Sequence, residues 1–263
     1  AILSDEEKIL EIIIDELTEI KERFSDERRT EIIAGGVDFI EDEDLIPEES
    51  IVISLTHKGY VKRLPASTYR SQRRGGRGIQ GMGTNEDDFV EHLVSCSTHD
   101  TVLFFSNKGK VYRAKGYEIP EFNRTAKGIP IINMLEIDKG EWINAIIPVS
   151  EYQEDWYLFF TTKRGIAKRT SLAQFANIRR GGLIALSLRE DDELISVRMT
   201  NGAKHILIGT RNGYAIRFEE DEIRAMGRTA AGVKGISLRD DDEVVSMEII
   251  EENDYVLNVT EKG

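Results

Sequence analysis

A single cysteine, Cys96, stands among 263 residues, which excludes a disulfide framework. Its apolar, strand-like neighbourhood suits a small buried hydrophobe in a reducing compartment. The four histidines, His57, His92, His99 and His205, lie far apart, so their spacing assembles neither a metal site nor a nucleophile with its base. No phosphate-loop or dinucleotide motif occurs. No apolar run approaches the roughly 20 residues that cross a bilayer, and the first residues lack the pattern of a secretory leader. These absences lead us to expect a soluble, cytoplasmic chain with no membrane attachment, no metal, no cofactor and no catalytic residues of its own.

Acid is missing as well, from one particular stretch. Between Ser50 and Asn85 there are seven cations, Lys58, Lys62, Arg63, Arg70, Arg73, Arg74 and Arg77, and no Asp or Glu. The net charge of the whole chain is -13. Residues 1–50, however, hold 5 basic and 18 acidic residues, and the remainder holds 30 of each. The whole-chain value therefore misleads. Whether a polyanion is a partner depends on how far the later cations are segregated from the anions.

Ser4 and Glu7 form a capping box that opens a periodic apolar run. Leu10, Ile13, Leu17, Ile20 and Phe24 follow at alternating spacings of 3 and 4, the seam of a coiled-coil helix that needs a partner helix. Ser25-Asp26 ends it. Ala34-Gly35-Gly36 and the acidic run Glu41-Asp42-Glu43-Asp44 read as a linker. The expected division is a helical segment over 1–33, an acidic linker over 34–50 and a β-rich region over 51–263.

That last region repeats. A turn glycine recurs at Gly59, Gly109, Gly165, Gly213 and Gly263, about every 50 residues, and an arginine stands four residues beyond each of the first four: Arg63, Arg113, Arg169 and Arg217. A second glycine precedes an apolar strand at Gly78-Ile79, Gly128-Ile129, Gly182-Leu183 and Gly232-Val233. An acidic turn and a further strand close each unit. Four strands in about 50 residues are the mark of a propeller-like blade, so the fold class expected is mainly β: four such blades, part of a fifth, and a preceding coiled-coil helix.

Within a repeat the cations cluster in one half. From Trp156 to Arg189 there are seven basic residues, among them Lys163, Arg164, Arg179 and Arg180, and no acid. From Phe104 to Leu135 six basic residues, including Lys108, Lys110 and Arg113, face two acids. Equivalent points around a propeller rim would then carry positive charge, suited to the phosphates of a duplex and not to reading its bases. Lys58, Lys108, Lys163 and Arg164 fall at hairpin tips and are assigned to DNA. The four recurring arginines read equally as fold elements or as DNA contacts.

The densest cationic point is Gln72-Arg73-Arg74-Gly75-Gly76-Arg77-Gly78. Glycines let backbone amides approach phosphate oxygens, and each guanidinium offers a two-pronged donor. The bland alternative is a solvated basic loop. This string resembles the box Gln-(Arg/Lys)-Arg-Gly-Gly-(Arg/Lys)-Gly of the gyrase A family of bacterial DNA topoisomerases, matching at all seven positions. The resemblance implies a β-pinwheel, a propeller relative whose neighbouring blades exchange strands, preceded by the end of a coiled-coil arm and truncated within a six-bladed ring. It also implies chiral wrapping of duplex DNA in an ATP-dependent type II topoisomerase, DNA gyrase, that introduces negative supercoils. The implied partners are a second gyrase A chain together with gyrase B, in an assembly of two A and two B on the bacterial chromosome, with ATP and Mg on other domains. A topoisomerase IV counterpart, whose box is degenerate or missing, and a protein-binding propeller are the alternatives.

Overall fold

A computed structural model describes residues 6–25, 42–69, 81–84 and 86–259. The chain divides into two compact units, Ala1–Leu45 and Ile46–Gly263. The first contains α1 (Glu6–Phe24), whose last turn carries Lys21 and Arg23, favourable beside the negative end of the helix dipole. Leu10, Ile13, Leu17, Ile20 and Phe24 are all exposed, so the stripe expected to seek a partner is bare. Ser4 of the capping box, Ala34-Gly35-Gly36 and Gly263 lie outside the described residues.

The second unit is built from repeats. The first supplies β1 (Ser50–Thr56), β2 (Tyr60–Pro65) and β3 (Val90–Ser97); the second supplies β4 (Thr101–Ser106), β5 (Lys110–Lys115), β6 (Ile129–Pro130) and β7 (Ile143–Val149). The third gives β8 (Tyr157–Thr162), β9 (Ile166–Ser171), β10 (Leu183–Ile184) and β11 (Leu194–Thr200), and the fourth gives β12 (His205–Thr210), β13 (Ala215–Glu219), β14 (Val233–Lys234) and β15 (Val244–Ile250). Ile46 and Pro47 are pinned to the first blade: the ring of His99 meets the Ile46 carbonyl at 2.8 Å, and the Thr98 hydroxyl donates to the Pro47 carbonyl at 2.9 Å. The second unit thus begins at Ile46, within the span 34–50 read as a linker.

The sheets do not coincide with the repeats. Their strand orders are β3-β1-β2-β6, β10-β5-β4-β7, β11-β8-β9-β14 and β13-β12-β15. Each of the first three sheets takes its fourth strand from the following repeat. This is the strand exchange of a β-pinwheel, arranged in four propeller-like blades. Ile129 pairs with Val61, Leu183 with Val111 and Val233 with Ala167. The amides of Ile131, Ala185 and Gly235 each donate at 2.8 Å to the carbonyl of the preceding blade's hairpin glycine, Gly59, Gly109 and Gly165. Gly128 shows why a side chain is excluded at the exchange. Its φ is +80°, and a Cβ there would stand 2.3 Å from the Val61 carbonyl oxygen.

Apolar packing lies between blades. Along β4, Val102 and Phe104 join a cluster with Ile51, Ile53 and Val61 of the first blade, while Leu103 and Phe105 join one with Leu158 and Phe160 of the third. Alternate residues of one strand thus face opposite neighbours, and so the run Val-Leu-Phe-Phe is apolar throughout, with every residue buried. On β8 the same division sends Phe160 toward the second blade and Phe159 toward Ile206 and Ile208 of the fourth. Strands β3, β7, β11 and β15 pack against one another in sequence. They are the inner edges, leaving β2, β5, β9 and β13 with the exchanged strands outermost.

Candidate nucleic-acid interface

Three of the four hairpin tips are held by a hydroxyl and a carboxylate that recur with the repeat. Thr56, Thr162 and Thr210 accept, at 3.1 Å each, from the amides of Tyr60, Ile166 and Tyr214. From the acidic turn, Asp88, Asp192 and Asp242 reach the tip and accept from the amides of Lys58, Arg164 and Asn212 at 2.9–3.0 Å. Burial raises the carboxyl pKa of Asp88, but hydrogen bonds from the Lys58 amide, the Thr56 hydroxyl and the Phe89 amide outweigh it and leave the group below its usual range. The second repeat departs from this scheme. Ser106 replaces the threonine, and Glu141 accepts from the Tyr112 hydroxyl at 3.0 Å.

The acidic turns are therefore structural anchors, and they bring acids against the tip cations. Lys58 lies 3.9 Å from Asp87, Lys163 lies 3.3 Å from Glu243, and the Nε of Arg164 donates to the Asp191 carbonyl at 3.3 Å. Lys110 is bonded to Asp138. Lys108 is exposed. The tips form a face of mixed sign, which corrects the expectation that their cations stand apart from the acids.

Two other expectations change. Lys62 is fully buried, with its ammonium donating to the carbonyls of Asn123, Arg124 and Ala126 at 3.2, 2.7 and 2.8 Å, so it is out of reach of a phosphate. The recurring arginines divide. Arg63 is a fold element: its Nε donates to the Ile119 carbonyl at 2.7 Å and its Nη1 lies 3.3 Å from Glu121. Arg169 is one too, stacked 4.8 Å over the Tyr157 ring. Arg113 and Arg217 point to solvent. The difference follows from the neighbouring repeat. Short parallel bridges tie Arg63 to Glu121 and Arg169 to Ala225, and no such bridge occurs at the other two among the described residues.

Exposed cations gather instead on the outer edges. Arg113 and Arg180, with the half-buried Lys115, line a cleft of about 610 Å³ between the second and third blades, with Tyr117, Glu118 and Ile178. Arg179 is exposed beside it, and Arg180 is 91% exposed with its Nε 3.6 Å from Glu136. Arg124, Arg224 and Lys234 are also exposed along this band. Composition alone did not single out Arg124 and Arg228, but their signal was present in the recurring strings Arg124-Thr125-Ala126 and Arg228-Thr229-Ala230. Gln72, Arg73, Arg74, Gly75, Gly76, Arg77 and Gly78, with Arg70, lie outside the described residues. The Cys96 thiol on β3 is pushed up to about 11 by burial and by Asp100, a poor nucleophile.

Sheets sealed by a strand from the next repeat, with cations along their outer edges, define a strand-exchanged, propeller-like repeat domain. Residues 50–97, 100–150, 157–201 and 204–251 match the family described as DNA gyrase C-terminal domain, beta-propeller. The chain belongs to that family. The DNA gyrase A protein of Halalkalibacterium halodurans is 67% identical over 235 residues, covering 89% of this chain and 28% of that protein. The DNA gyrase A protein of Staphylococcus epidermidis is 60% identical over 265 residues, covering 100% of this chain and 30% of that protein. The chain thus spans less than a third of the length of these relatives. Among solved structures, a DNA gyrase A C-terminal domain superposes with a TM-score of 0.63 at 29% identity, over 78% of this chain and 66% of that one. The C-terminal domain of a DNA topoisomerase IV gives 0.68 at 30% identity, over 80% and 64%.

Proposed function

We propose that this domain wraps duplex DNA around the outer edges of its blades, as part of an ATP-dependent type II topoisomerase that introduces negative supercoils. The observation that carries the reading is the outward placement of Arg113, Arg124, Arg179, Arg217, Arg224 and Lys234 on successive outer edges. A curved row of guanidinium and ammonium groups neutralises phosphates along a bent path, and the described residues of Ile46–Gly263 include no α-helix to enter a groove, so contacts follow backbone and bendability. Wrapping requires no reaction in this domain. In this reading cleavage, ATP and Mg belong to other parts of an assembly of two gyrase A and two gyrase B chains, which works in the cytoplasm on the bacterial chromosome.

The Gln72–Gly78 string is the proposed grip on the last part of the wrap. It contributes three of the 30 cations in residues 51–263, so its loss removes few contacts but a place where bending must be repaid by a few kcal/mol. Solved topoisomerase IV and gyrase domains superpose almost equally well, and the intact string, with 60–67% identity to gyrase A proteins, supports gyrase. In the complete enzyme, Arg73→Ala, Arg74→Ala and Arg77→Ala together should abolish negative supercoiling and spare ATP-dependent relaxation and most DNA binding. Supercoiling at the normal rate would reduce the string to a solvated basic turn.

A further inference from the structure

Lys62 and Lys168 occupy one repeat position, three residues past the hairpin glycines Gly59 and Gly165, and both are completely buried. Their ammonium groups meet main-chain carbonyls. Lys62 takes those of Asn123, Arg124 and Ala126. Lys168 takes that of Ala185 at 2.7 Å and that of Arg228. The two loops held from beneath share the string Arg-Thr-Ala, and each runs through a positive-φ glycine, Gly128 or Gly232, into an exchanged strand.

Burying an ammonium is costly, and an apolar side chain of similar size commonly serves stability as well. The other repeats place Tyr112 and Ile216 at this position. What the lysines add is specific. They hold from beneath the carbonyls of Arg124, which is exposed, and of Arg228, which is half-buried. They also set a positive charge directly under each loop.

We infer that Lys62 and Lys168 are positioning residues for DNA, fixing the loops that present Arg124 and Arg228 to phosphates at the junctions after the first and third blades. The inference rests on the wrapping function proposed above. Its test is the salt dependence of affinity for a random-sequence duplex, in which each phosphate contact contributes about one unit to the slope of log K against log salt. Lys168→Met, Arg228→Ala, Lys62→Met and Arg124→Ala should each lower the slope by about one unit. Each matched pair, Lys168→Met with Arg228→Ala or Lys62→Met with Arg124→Ala, should also lower it by about one, because both changes remove the same contact. The crossed pair Lys62→Met with Arg228→Ala should lower it by about two. Additive losses in the matched pairs, or any single variant with the wild-type slope, overturn the inference. Where a methionine variant does not fold, Lys62→Gln or Lys168→Gln, whose neutral amide stops one bond short of the ammonium position and so loses its bonds to these carbonyls, is judged by the same criterion. A wild-type chain whose affinity ignores salt would instead sink the wrapping proposal itself.

Discussion

Replacing Lys168 by methionine sets two opposing effects against each other at one buried position. Burial, aided by the nearby Arg228 guanidinium, lowers the ammonium pKa from 10.5 to about 8. Between those values the unfolded chain holds a proton that the folded chain has released, so stability rises with pH across that window. At about 1.4 kcal/mol per pKa unit, the gap from 10.5 to about 8 is a burden of about 3 kcal/mol. It is fully present below about pH 8 and relieved as pH climbs toward the unfolded value. Methionine removes the burden but leaves two carbonyls without their donor, at about 1–3 kcal/mol each. Near pH 7 these terms nearly cancel, and the variant should be equal to or a few kcal/mol less stable than wild type. As pH rises the wild type sheds its burden and the variant has none to shed. The wild-type advantage should therefore widen by up to about 3 kcal/mol by about pH 10. Urea unfolding of both chains at intervals from about pH 7 to 10 measures this, and the difference cancels the other titrating lysines and tyrosines. A difference that stays constant or narrows with pH would refute the reasoning.

Two further outcomes follow from the packing and the acidic turns. Phe105 is fully buried, with its ring 5.6 Å from Phe160 and 6.1 Å from Phe175 in the packing between the second and third blades. Phe105→Ala should cost about 3–5 kcal/mol, read as a lower urea midpoint, and a loss under about 1 kcal/mol would mean the blades repack freely. Burial raises the Asp242 carboxyl pKa, but the Thr210 hydroxyl, the amides of Asn212 and Glu243 and the Arg211 charge together hold it below 3.8. Its contribution is present above the unfolded pKa and lost as pH falls through the folded one. Asp242→Asn should therefore weaken the fold at neutral pH and matter progressively less in acid, and equal destabilisation at both ends of an acid titration would contradict that.

The repeat itself was legible in the sequence because its turn glycines are steric necessities. Gly59, Gly109, Gly165 and Gly213 all adopt positive φ, and such positions keep glycine wherever the turn recurs. The exchanged strands carry almost no signal of their own. Ile129–Pro130 is two residues long, too short to show a period, and its proline reads as a breaker. Residue type also misled at Lys62, since a lysine in a basic stretch looks solvated until three carbonyls are found around it. The tip cations misled for a related reason. Asp88, Asp192 and Asp242 are distant from the tips in sequence, and the strand pairing that folds them back is not visible along the chain.

Strand exchange also imposes an order in time. As the chain grows from its N-terminus, the first hairpin and β3 can pair early, but the outer edge of that sheet stays open until Ile129–Pro130 emerges. By then β4 and β5 have already formed the start of the next blade. Each of the first three sheets is sealed by its successor, so none of them can be completed before the following repeat has been made, and its open edge until then is a template for mispairing. Damage is displaced in the opposite direction. A cut between β5 and β6 falls within the second repeat, yet the blade left without an outer strand is the first.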